Sequence, residues 1–113
     1  GDGLDIDHIP SQKALELYLR NNFPHMSPRE RRNFLQRAPS IAIPFNVHRK
    51  FSETYGGRNT SSKQGQDAIN IESSVDQNFD AIKTGLLEAG FAEAEVEAGR
   101  KKLHGLHKEQ GWY

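Results

Sequence analysis

The clearest indication of the fold is the run Ser40-Ile41-Ala42-Ile43-Pro44-Phe45-Asn46-Val47-His48. Its first five residues are too few for a helix, lie between two prolines and include β-branched side chains, so they predict a strand. Asn46 is a possible helix cap, and residues 47–54 are predicted to form a short helix. The run therefore places His48 at the start of a helix that directly follows a strand.

A partner strand is predicted near the start of the chain, where apolar and acidic residues alternate from Leu4 onward. This strand is expected to end near His8, because Pro10 cannot donate a hydrogen bond within a sheet. Asp7 and His8 then lie together at the strand end. Two strands followed by a helix that bears His48 make a ββα order.

Helical patterns fill most of the remaining sequence. Ser11 is predicted to cap the first helix, and Ser27 the second, where Glu30 completes a capping box. Gly90 can take the left-handed conformation that ends a helix. The predicted helices cover residues 11–21, residues 27–38, a segment through Val75, Phe79, Ile82 and Leu86 that stops at Gly90, and residues 92–110.

The expected fold is a single α+β domain over residues 1–113, mostly α, with a small two-stranded ββα-metal-like core and additional helices. Residues 56–66 are predicted to be a loop and the only disordered stretch. No apolar run approaches the ~20 residues that cross a bilayer, so no membrane contact is expected. The opening Gly1-Asp2-Gly3 lacks the features of a signal peptide and suggests a piece of a longer protein.

Composition excludes several kinds of chemistry. The 113 residues include no cysteine, which rules out disulfides, thiolate zinc sites and cysteine nucleophiles. Any metal must therefore be bound by His, Asp, Glu or Asn. The 15 basic and 15 acidic residues cancel, so net charge gives no sign of nucleic-acid binding.

Asp7 and His8 suit two complementary tasks at the predicted strand end. In a nuclease that uses one metal ion, the ion stabilises charge on the scissile phosphate while a neutral imidazole takes a proton from the attacking water. A carboxylate is suited to hold the ion, and an imidazole is suited to move the proton. We therefore expect Asp7 to bind a metal and His8 to act as the base.

Asp7-His8-Ile9-Pro10, together with the segment from Ile43 to His48 and on to Arg58-Asn59, resembles the HNH/endonuclease VII (His-Me finger) superfamily. Its members include nuclease toxin domains at the C-termini of polymorphic bacterial toxins, such as contact-dependent inhibition and Rhs-type proteins. The resemblance implies that Asp7 is a metal ligand, His8 the general base and His48 the second metal ligand. It also implies one divalent metal ion, which is Mg, Mn or Zn.

The chain departs from that superfamily in two ways. A pair of helices separates the two motifs, where many members have a hairpin or a zinc knuckle. Ser52 occupies a position at which the superfamily commonly has a further His or Asn. The third metal ligand is therefore left open between Asn46, Ser52 and Glu53.

Several basic residues are candidates for holding substrate. Tyr55-Gly56-Gly57-Arg58-Asn59 is predicted to be a phosphate-binding loop, because glycines expose backbone N–H groups and an arginine fork matches phosphate. Arg49 and Lys50 follow His48 and add positive charge. The arginines of residues 29–37 form a second basic cluster, which could track a nucleic-acid backbone but is interpreted first as a solvated helix face. His104 and His107 are interpreted as helix-end residues.

The sequence thus predicts an endonuclease that cuts DNA, with RNA as a less favoured substrate. The resemblance implies a secreted or cell-surface delivered effector, of which this chain is a C-terminal fragment acting in the target-cell cytoplasm, and a cognate immunity protein. Two alternatives remain open. One is a metal-independent RNase in which His8 and His48 form an acid-base pair, and the other is a helical interaction domain without catalysis.

Overall fold

The computed structural model describes residues 3–113, so Gly1 and Asp2 of the opening lie outside the described residues. The fold is α+β and mostly helical, as predicted. In chain order, its elements are β1 (Leu4–His8), α1 (Gln12–Asn22), α2 (Pro28–Gln36), β2 (Ser40–Pro44), α3 (Phe45–Phe51), α4 (Ser61–Ile69), α5 (Ile71–Glu88) and α6 (Glu93–Glu109).

The two strands pair antiparallel even though α1 and α2 lie between them in the chain. Asp7 stands opposite Ile41 in the register, and His8 stands opposite Ser40. α3 begins at the residue that follows β2, and the Phe45 N–H donates a 2.8 Å hydrogen bond to the carbonyl of Gly3. The predicted ββα order is confirmed, and α3 is tied directly to the beginning of β1.

The predicted helix caps are present at α1, α2 and α5. The Ser11 hydroxyl accepts from the backbone N–H of Ala14 at 3.3 Å. Ser27 and Glu30 form the capping box at the start of α2. Gly90 follows α5 with a φ of 102°, the left-handed conformation that ends a helix at little cost only for glycine.

The boundaries predicted for α3 are wrong at both ends. Pro44 takes the N-cap position without a side-chain cap, so Asn46 lies inside the helix and does not cap it. Proline is already held near the φ that a helix start requires, which lets the helix begin two residues earlier. At the other end Ser52 is extended, with ψ 128°, and the helix stops at Phe51.

The prediction of a disordered loop over residues 56–66 is also wrong. Gly56–Arg58 form a 3-10 turn, and α4 begins at Ser61. The Thr60 hydroxyl caps α4 by accepting from the N–H of Lys63, whose ammonium pairs with Asp67 at 3.0 Å. Asp67 is buried, so this local capping and the pairing of a buried charge stabilise a helix that polar composition had concealed.

α5 forms the centre of the core. Val75, Phe79 and Ile82 have no exposed surface, and α3 and α6 both pack against this helix. Trp112, just beyond α6, is also buried. Within residues 3–113, no helix has both the length and the apolar character needed to cross a membrane.

α6 is joined to the end of β1 by a buried histidine. The Nε2–H of His107 donates to the carbonyl of Ile9 at 2.8 Å, next to His8. His107 is fully buried and stacks on Tyr113. Its neighbour His104 contacts the Asp76 carboxylate at 2.8 Å and the Tyr113 hydroxyl. Both histidines therefore hold the C-terminal helix in place, which agrees with their interpretation as structural residues.

The buried histidine predicts a loss of stability in acid. Burial lowers the pKa of His107 from 6.5 to about 4, so the unfolded chain binds a proton more readily than the folded chain between these values. The contribution of His107 to stability is complete above pH 6.5 and is lost as the pH falls toward 4. Integrated over this interval, the loss is about 3 kcal/mol.

Urea unfolding at a series of pH values checks this prediction. His107→Gln keeps an amide donor but cannot titrate, so its free energy of unfolding should change less between pH 6.5 and pH 4 than that of the wild type. His25→Ala, which replaces an exposed loop histidine, is the control. Parallel pH profiles for the wild type and His107→Gln would contradict the assignment.

Candidate active site

An ordinary half-buried strand turns its apolar side chains inward and its charged side chains toward solvent, and β1 has the opposite arrangement. Ile6 is 60% exposed, whereas Asp7 is only 3% exposed. Asp5 lies two residues before Asp7 and shares its face, because alternate side chains of a strand point to opposite sides. Burial of a carboxylate costs free energy unless the charge is compensated. An inward acidic face therefore indicates a functional site.

α3 places His48 directly against this acidic face. Its Nδ1 lies 2.9 Å from Oδ2 of Asp5, and its Nε2 lies 3.6 Å from Oδ1 of Asp7. The ring of Tyr55 meets the imidazole edge to face, with the ring centres 5.0 Å apart. The structure thus brings Asp7 and His48 together, as the sequence predicted, and fixes the imidazole from two sides.

The contact with Asp5 determines which nitrogen of His48 is available. The Asp5 carboxylate can only accept, so Nδ1 carries a proton, and in the tautomer with that single ring proton Nε2 presents its lone pair toward Asp7. A lone pair facing a carboxylate oxygen is repulsive unless a cation or a proton lies between them. The 3.6 Å separation is longer than a hydrogen bond, and one ion with bonds of about 2.1 Å to each atom can span it.

Asp5 is a site residue that the sequence reasoning missed. A carboxylate that accepts from the far nitrogen of a metal-binding histidine orients the ring and raises its basicity. Asp5 therefore has the geometry of a positioning residue for His48. Its i, i+2 spacing from Asp7 on a predicted strand was the signal that could have identified it.

The Ser52 hydroxyl contacts the Asp7 carboxylate, and Thr54 contacts Ser52. The Thr54 N–H donates to Oγ of Ser52 at 3.4 Å, which leaves the Ser52 hydroxyl proton free to donate to Asp7. Burial raises the pKa of Asp7, and the nearby His48 and the Ser52 hydrogen bond oppose that rise. Ser52, one of the candidates for third ligand, therefore contacts the carboxylate of Asp7.

His8 lies in the same pocket as Asp7 and His48. Its Nδ1 is buried and has no hydrogen-bond partner within residues 3–113. The His8 ring lines the pocket, so it can take a proton from a molecule bound there. The pocket has a volume of about 280 Å³ and is lined by Ile6, Asp7, His8, Ser11, Gln12, Lys13, His48, Thr54 and Asn59.

The other two candidates for third ligand lie elsewhere. Asn46 is exposed and lines a separate concave surface with Arg49 and Lys50. Glu53 pairs with Lys63 at 3.3 Å. Across residues 3–113, no group of three or more His, Asp or Glu side chains is arranged to hold a metal ion. The described residues therefore offer one imidazole nitrogen and one carboxylate oxygen as converging donors, so a bound ion would complete its coordination with water and substrate phosphate.

Arg58 is engaged by the protein itself. Its guanidinium donates to the carbonyl of Lys50 at 3.0 Å and to the carbonyl of Arg49, and it lies over the ring of Tyr55. These contacts close the C-terminal end of α3 and support the ring that packs on His48. The phosphate-binding role expected for Arg58 stays a prediction, whereas Asn59 does line the pocket.

Loss of the Asp5 carboxylate is expected to weaken metal binding. Removal of a group that orients a liganding histidine typically costs 10- to 100-fold in metal affinity. In a titration of the protein with Mn²⁺, Asp5→Ala should therefore raise the metal concentration for half-saturation by about that factor, and Asp5→Asn, which still accepts from Nδ1, by less. The control is Glu88→Ala, an exposed acidic residue on α5. Equal metal requirements for wild type and Asp5→Ala would exclude the positioning role.

Comparison with known proteins gives one informative relative. Over 112 residues, or 98% of the chain, the sequence is 36% identical to a protein named deoxyribonuclease CdiA from Dickeya dadantii (strain 3937). The chain spans 3% of the length of that protein. No protein-family model matches the chain, and no solved structure matches it significantly. The chain is therefore similar, along nearly all of its length, to a short part of a CdiA protein.

Proposed function

We propose that the chain is a nuclease toxin domain that hydrolyses DNA, with Asp7 and His48 holding one divalent metal ion and His8 acting as general base. The observation that carries the proposal is the approach of His48 Nε2 to the buried Asp7 carboxylate, 3.6 Å away, within a pocket that His8 also lines. The similarity to a protein named as a deoxyribonuclease supports DNA as the substrate.

Each residue of the site has a distinct part in the proposed reaction. Asp7 and His48 bind the ion, which when bound supplies positive charge that stabilises the phosphate in the transition state. Asp5 holds the His48 ring so that Nε2 faces the ion. His8 takes the proton of the attacking water, since its ring lines the pocket that Asp7 and His48 also line.

The proposed biological setting follows from the relative. A domain of this kind would be delivered as part of a longer effector and would act on DNA in the cytoplasm of a target bacterium. A cognate immunity protein would then be needed to protect the producing cell. Growth of cells that express the domain with and without the candidate immunity gene tests this setting.

The closest alternative uses the same pocket without metal. His8 and His48 both line it, which is the arrangement that an acid-base pair of an RNase requires. The Asp5 contact favours the metal-binding interpretation, because it leaves the Nε2 lone pair facing a carboxylate. The two functions differ in their metal requirement and in their substrate.

Cleavage assays separate these possibilities. Purified domain is incubated with supercoiled plasmid or with RNA, in excess EDTA or with Mg²⁺, Mn²⁺ or Zn²⁺ added back. The proposal predicts DNA cleavage only with added metal. RNA cleavage in EDTA would establish the metal-independent alternative, and inactivity toward both substrates with every metal would leave a non-catalytic domain.

A further inference from the structure

A groove leads out of the candidate active site along α1. Gln12 and Lys13 line the active-site pocket and also line a second concavity, of about 390 Å³, between α1 and α2. The second concavity is completed by Glu16, Arg32, Leu35 and Gln36. We call the continuous surface formed by these two concavities the α1 groove.

The floor of the α1 groove is held in place by a contact between its two helices. The side-chain amide of Gln12 donates to the carbonyl of Leu35 at 3.0 Å. This hydrogen bond joins the first turn of α1 to the last turn of α2. Lys13 and Arg32 therefore project from elements whose relative position is fixed.

The carboxylates of the site repel a phosphate, so a cation near the bound phosphate would favour binding. Asp5 and Asp7 both lie at the inner end of the site, and their negative charge opposes the approach of a nucleic-acid backbone. Lys13 supplies the single Lys or Arg among the residues that line the pocket. It is thus placed to offset that repulsion at the pocket entrance.

Lys13 and Arg32 are also available to bind a ligand. Neither forms an ion pair or a hydrogen bond through its side chain with any residue in the range 3–113, and both are exposed. By contrast, Arg58 is hydrogen-bonded to α3, and Glu16, the acidic residue of the second concavity, is paired with Arg20 at 3.2 Å. The free charge of the second concavity is therefore positive.

We infer that Lys13 and Arg32 contact DNA phosphates beside the one that is cut, so that the substrate strand runs from the pocket along the α1 groove. This inference rests on the proposed nuclease function and adds a path for its substrate. Arg49 and Lys50 line a different concavity, so the inference places the substrate strand on Lys13 and Arg32 instead of on that pair.

Fluorescence anisotropy with a labelled DNA duplex tests this path. All proteins carry His8→Ala and are measured in EDTA, so that no cutting occurs. Lys13→Gln and Arg32→Gln should each raise the Kd about fivefold and reduce the salt dependence of binding, because each phosphate contact releases about one counterion. The control is Lys101→Gln on α6, which is exposed and lines neither concavity; it should change the Kd by less than twofold.

The outcomes separate this inference from the function on which it rests. If wild type cuts plasmid but the Lys13 and Arg32 variants bind like the control, the path is wrong and the nuclease remains. A loss of binding confined to Arg49→Gln and Lys50→Gln would also overturn the path and place DNA on the other concavity. If wild type neither binds nor cuts DNA, the proposed function itself fails.

Discussion

His8→Ala is expected to lower the rate of DNA cleavage by about 10²- to 10⁴-fold, the range that one general base contributes. The reason is local, since His8 lines the pocket with Asp7 and His48 and its Nδ1 has no partner within the described part of the chain. Removal of this ring breaks no hydrogen bond of that nitrogen. The variant should therefore remain folded.

The measurement is single-turnover cleavage of a labelled duplex with saturating metal. Circular dichroism and the melting temperature of His8→Ala establish that it is folded. His25→Ala, at an exposed position outside the pocket, is the matched control and should cut at the wild-type rate. A His8→Ala protein that cuts as fast as this control would remove His8 from the mechanism.

Asp7→Asn is expected to change activity and stability in opposite directions. Cleavage should fall at least about 100-fold, because a liganding carboxylate matters more than the groups that orient a ligand. Stability at pH 7 without metal should rise. Burial raises the pKa of Asp7, so the folded state disfavours the ionised carboxylate, and a neutral amide of the same shape removes that cost.

Thermal unfolding in EDTA and then in Mn²⁺ checks both directions of this prediction. Wild type should melt below Asp7→Asn in EDTA and should gain stability on addition of metal, whereas Asp7→Asn should gain none. Glu88→Gln is the control for removal of an exposed negative charge. A lower melting temperature for Asp7→Asn in EDTA would show that the carboxylate stabilises the folded chain.

Local sequence signals were sufficient for much of the fold. The alternation in β1, the proline-bounded run of β2 and the serine caps of α1 and α2 each act within a few residues, so they could be predicted without tertiary information. α4 also carries local signals, the Thr60 cap and the i,i+4 pair of Lys63 and Asp67, but its polar composition resembles that of a loop. The burial of Asp67 and its contact with the Asn78 amide of α5 at 3.1 Å are tertiary features that the sequence could not show.

In the candidate site, too, some features could be predicted from nearby residues in the sequence, whereas others depend on the folded chain. The positions of Asp7, His8 and His48 followed from the ββα order, and all three line one pocket. The contacts of Arg58 depend on where α3 ends. The sequence predicted that this side chain binds phosphate, but its guanidinium donates to the carbonyls of Arg49 and Lys50. Lys13 joins the pocket because the folded chain places the first turn of α1 beside Asp7, His8 and His48.

The central claim is that Asp7 and His48 share one cation, and electron paramagnetic resonance of Mn²⁺ titrated into the domain tests it most directly. The account predicts that wild type binds one Mn²⁺ per chain, and that Asp7→Asn and His48→Ala, although folded, leave the ion free in solution. Equal Mn²⁺ binding by wild type and both variants, or full DNA cleavage in excess chelator, would contradict it.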